Sequence, residues 1–87
     1  MNSSVAQKYE LKKLYLREFQ LFDGESNITF NIVDINTEKK TIHLAITKLG
    51  KISVVEYDLQ EDKLNNLYFE YGVDREKIEI EEFEEIK

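Results

Sequence analysis

Between Asn27 and Leu59 the apolar residues return at every second position, and this alternation restricts the chain more than any other feature. Ile28, Phe30 and Ile32 alternate with Asn27, Thr29 and Asn31. The phase slips at Val33 and continues through Ile35. Ile42, Leu44 and Ile46 then alternate with Thr41, His43, Ala45 and Thr47, and a further run carries Ile52, Val54, Val55, Tyr57 and Leu59. A period of two places successive side chains on opposite faces of a strand, so these runs predict strands with one buried face.

The breaks between the runs are short and polar. Asp23-Gly24-Glu25-Ser26-Asn27, Asn36-Thr37-Glu38-Lys39-Lys40 and the segment around Gly50 all read as turns. Upstream, Leu14, Leu16, Phe19 and Leu21 give a further strand with a slip between Leu16 and Phe19, which reads as a bulge. Strands joined so closely form an antiparallel meander. The predicted fold is mainly β: a meander of four to six antiparallel strands with a short N-terminal helix opened by Ser3 or Ser4. An α+β arrangement with Asp62–Tyr71 helical is the second choice. For Leu67–Tyr71 a strand is preferred, because aromatic residues favour a pleated surface. Lys77–Phe83 is expected to extend as a last strand, with 1–7 and 84–87 fraying.

The chain is 87 residues long, enough for a single domain with a thin core. It contains no cysteine, which removes disulfides and thiolate-bound zinc from consideration. No apolar run has the ~18–20 residues of a membrane span, and no basic leader precedes an apolar stretch, so a cytoplasmic location is expected. Gly24, Gly50 and Gly72 are isolated, and neither phosphate-binding glycine pattern can be written onto the chain. His43 is the sole histidine and no Gly-x-Ser-x-Gly elbow exists, so His43 reads as an ordinary histidine on a sheet surface. No cofactor or catalytic residue is assigned, and the chain is expected not to be an enzyme.

Charge is the one feature that points to an activity. Residues 1–51 carry eight Lys/Arg against six Asp/Glu, whereas 52–87 carry four against twelve, which leaves the whole chain at −6. Only Arg17 and Arg75 are arginines, poor equipment for bidentate contacts to phosphate or bases, so direct nucleic-acid binding is not expected. An acidic face attracts basic protein surfaces instead. The candidate protein-binding residues are Glu70, Asp74, Glu76, Glu79, Glu81, Glu82, Glu84 and Glu85. On a strand, Glu79 and Glu81 would stand about 6.6 Å apart on one face.

These observations predict a non-catalytic interaction module whose acidic C-terminal face docks on a basic protein surface. In its sharpest form the module mimics nucleic acid and inhibits a nucleic-acid enzyme of the host of a phage or mobile element. The competing view treats the glutamates as a solvated face that protects an edge strand. A structural, self-associating homodimer is the alternative, in which the basic cluster Lys8, Lys12, Lys13 and Arg17 meets the acidic tail.

Overall fold

The computed structural model describes residues 16–86. They form eight strands: β1 (Arg17–Phe22), β2 (Asn27–Asn36), β3 (Thr41–Lys48), β4 (Lys51–Asp58), β5 (Gln60–Glu61), β6 (Leu67–Tyr71), β7 (Glu76–Glu79) and β8 (Glu84–Glu85), with a 3-10 turn over Ile80–Glu82. The large sheet has the order β4-β3-β2-β1-β8 and the small one β5-β6-β7, with every pairing antiparallel.

The mainly β, antiparallel class read from the sequence is the one observed. The meander covers β1 to β4, and β8 then returns to the free side of β1 from the far end of the chain. The helical alternative for Asp62–Tyr71 does not occur. Leu67–Tyr71 is a strand, and the residues before it form a loop around Asp62, whose carboxylate accepts from the Leu64 and Asn66 backbone N–H groups at 2.9 Å each. The N-terminal helix and the fraying of 1–7 lie outside the described residues.

Turn chemistry fixes the register. The Asp23 carboxylate accepts from the N–H groups of Glu25 and Ser26, both at 2.9 Å, which closes the β1–β2 turn. Asn36 does the same for Glu38 and Lys39 in the β2–β3 turn. The β3–β4 turn consists of Leu49 and Gly50, with φ of 52° and 77°. Two left-handed residues in a two-residue loop match the right-handed twist of the strands they join. The slip at Val33 is a bulge between Ile32 and Asp34, and it keeps Ile35 on the buried face opposite Ile42. The slip expected near Leu16 has a different cause: β1 begins only at Arg17, and Leu16 is exposed before it.

The small sheet lies over one face of the large sheet and the core fills the gap. Ile28, Phe30, Ile32, Ile42, Leu44 and Ile46 come from below, and Leu67, Phe69, Ile78, Ile80 and Phe83 from above. Phe30 is fully buried, with Phe69 at 5.9 Å and the Tyr71 ring edge-on at 5.0 Å. Rings tilted or edge-on at such distances add favourable quadrupole contact to plain burial. Leu59 is buried where the chain leaves the large sheet for the small one, and its N–H donates to the Lys40 carbonyl at 2.8 Å.

Candidate protein-binding face

The fold sorts the eight candidate carboxylates into three places rather than one row. Asp74 lies in the β6–β7 turn and Glu76 opens β7 beside it, both exposed at the tip of that hairpin. Glu70 and Glu79 are on the outer face of the small sheet, paired across strands with Lys77 and Tyr68 respectively. Glu81 and Glu82 lie in the 3-10 turn, and Glu84 and Glu85 follow it as β8 against β1.

The expected strand from Lys77 to Phe83 is therefore interrupted. β7 stops at Glu79 and the chain winds through Ile80–Glu82, with the Glu79 N–H donating to the Glu82 carboxylate at 2.8 Å. The cause is burial. Ile80 and Phe83 are each 1% exposed, and a three-residue interval brings both to the core where a straight strand would bring only alternate residues. Glu79 and Glu81 are consequently not neighbours on one strand face.

The outer face of the small sheet is partly neutralised. The Lys77 ammonium sits 3.1 Å from the Asp62 carboxylate and 4.7 Å from the centre of the Tyr68 ring, and it pairs in register with Glu70. The Asn66 N–H, the Lys77 ammonium and the Leu64 N–H hold the Asp62 carboxyl at about 2, and Asp62 in turn raises Lys77.

The β1–β8 edge is different. Glu84 is in register with Glu18, and Glu85 with Arg17. With Glu82, Phe19 and Gln20 they line a groove of about 530 Å³. Four of the lining residues are glutamates (Glu18, Glu82, Glu84 and Glu85); the half-buried Phe19 ring turns to the core, where it packs on Phe83 at 5.7 Å. Gln20 donates to the Glu18 carboxylate at 3.2 Å. Within the 84–87 tail, Glu84 and Glu85 pair with β1 as β8, and the Ile86 N–H donates to the Leu16 carbonyl at 3.0 Å.

Glu18 and Gln20 escaped the sequence reading because they belong to the more basic half of the chain. Only the return of β8 to β1 places Glu18 among the C-terminal glutamates, and no local pattern announces a pairing between positions so far apart. His43 stands on the outer face of the large sheet, with Asp34 and Glu56 as its cross-strand neighbours and its Nε2 3.5 Å from the Glu56 carboxylate. Among the described residues no three His, Asp or Glu side chains are arranged to hold a metal ion. Nor is any helix among them long and apolar enough to cross a membrane.

Compared with protein-family models, with characterised proteins and with solved structures, the chain matches none.

Proposed function

We propose that the chain acts by binding rather than by catalysis, and that its acidic β1–β8 edge docks on a basic protein surface. The observation that carries this reading is the placement of Glu84 opposite Glu18, in a groove shared with Glu82 and Glu85. Like charges directly opposite on neighbouring strands oppose folding. A basic partner turns that cost into an attraction, which is how a recognition surface differs from a merely solvated one.

Carboxylates flanking a groove present a basic cleft with the charge it is built to receive from phosphates. In its sharp form the proposal is therefore a cytoplasmic inhibitor, of phage or mobile-element type, that occupies the nucleic-acid cleft of an enzyme. Association would be steered by charge and weakened by salt, since the screening length is about 10 Å at 0.1 M.

The test uses the double variant Glu18→Lys/Glu84→Lys. Both positions remain like-charged, so the cross-strand repulsion persists while the sign of the edge is reversed. Tagged wild-type chain is expected to retain nucleic-acid enzymes from bacterial lysate at low salt and to release them to added DNA, and the double variant is expected to retain none. Equal retention by wild type and variant would overturn the proposal.

A further inference from the structure

We propose that β4 is a pairing edge, and that the strand it accepts is β4 of a second copy of this chain, running antiparallel. Each sheet has two outer strands, and three of the four are built to refuse partners. β8 is two residues long and both are glutamates, β5 is Gln60–Glu61, and β7 has four residues of which Glu76, Lys77 and Glu79 are charged. Shortness and charge are the usual defences of an exposed edge.

β4 has neither. It is eight residues long, pairs with β3 without a bulge and carries the uncharged run Ile52-Ser53-Val54-Val55 at its centre. The two-residue turn makes Lys48 and Lys51 a hydrogen-bonded pair, and such pairs then alternate along the hairpin. Ser53, Val55 and Tyr57 accordingly bond to β3, while the backbone groups of Ile52, Val54 and Glu56 point away from it. Among the described residues no strand lies beyond them. The same positions turn their side chains to the outer face, where Ile52 is 70% and Val54 61% exposed.

The charges choose the partner. Lys51 stands at the start of the strand, and Glu56 and Asp58 at its end. An antiparallel copy related by a two-fold axis near Val54 sets each Lys51 end against the acidic end of the other strand. A parallel copy would set like against like. Self-complementarity of this kind is what a two-fold interface requires. The joined sheet would have ten strands, still within the usual limit of about 10. Since β4 and β8 bound the large sheet on opposite sides, the two acidic grooves would lie at its far ends, free to engage a partner.

The full chain is tested by size-exclusion chromatography with light scattering across a concentration series, together with amide hydrogen exchange. A dimer is expected, with slow exchange at the Ile52, Val54 and Glu56 amides. Val54→Pro removes an N–H that β3 does not use, and Val54→Lys sets like charges close to the axis. Both are expected to give monomers with unchanged circular dichroism and fast exchange at the Ile52 and Glu56 amides. If the proline variant fails to fold, the lysine variant decides. A wild type that is monomeric throughout overturns the proposal, including one whose three amides are protected by the chain's own residues 1–15. So does a dimer that both variants leave intact, or one whose Ile52, Val54 and Glu56 amides exchange freely.

Discussion

Glu84 stands directly opposite Glu18 across the β1–β8 ladder, two carboxylates in cross-strand register at the edge of the large sheet. Relieving one of them should therefore stabilise the free protein. Glu84→Gln is expected to raise the urea midpoint by an amount corresponding to about 0.2–1 kcal/mol, the size of a cross-strand pair effect. Added salt should stabilise the wild type and narrow its difference from the variant. A variant less stable than wild type at low salt would show that the pair is not under repulsion.

Phe30 is the ring on which the two sheets meet, with Phe19, Phe69 and Tyr71 around it. Phe30→Ala should cost about 3–5 kcal/mol, through lost transfer energy and the cavity left behind. A small domain has about 5–15 kcal/mol in all, so the variant should unfold at a much lower denaturant concentration. Equilibrium unfolding followed by far-ultraviolet circular dichroism measures the difference.

Leu49 holds a left-handed backbone conformation at φ 52° while its side chain is 77% exposed. The strain is not offset by burial. Leu49→Asn supplies the residue that such turns favour and should stabilise by about 1 kcal/mol, read from thermal denaturation.

Acid should loosen the two Asp-centred loops. Asp23 is held well below the usual carboxylate range by the Ser26 and Glu25 N–H groups and by the Lys48 ammonium at 2.9 Å, and Asp62 is held at about 2. A carboxyl with a lowered pKa in the folded state binds its proton more readily when unfolded. Its contribution is thus complete above the ordinary carboxylate range and is lost as pH falls toward the folded value. Stability is expected to decline from about pH 4 to pH 2, and Asp62→Asn should flatten part of that decline. An identical pH profile for variant and wild type would remove Asp62 from the account.

The meander was legible because its information is local. Alternation from Ile28 to Ile46 names the buried face, and Asp23, Asn36 and Gly50 mark the turns between strands. Even the slip at Val33 was visible as a change of phase, and the bulge there is its physical form. The end of the chain was less legible because a strand reading of Lys77–Phe83 ignores what the core demands. Ile80 and Phe83 must both be buried, and only a local coil achieves that. The groove was hardest to foresee, since Glu18 joins Glu82, Glu84 and Glu85 through a pairing that no neighbouring residues encode.

The return of β8 to β1 also has a kinetic meaning. β1 to β4 close by successive hairpins over short loops, whereas Arg17 finds Glu85 only after nearly the whole chain has been threaded back. Non-local pairings of this kind form late because the loop they close is long. A two-residue strand is also a natural place for the native state to open first. The acidic groove is thus expected to assemble late, and a partner seated in it would act as a clasp, holding β8 to β1 and slowing unfolding.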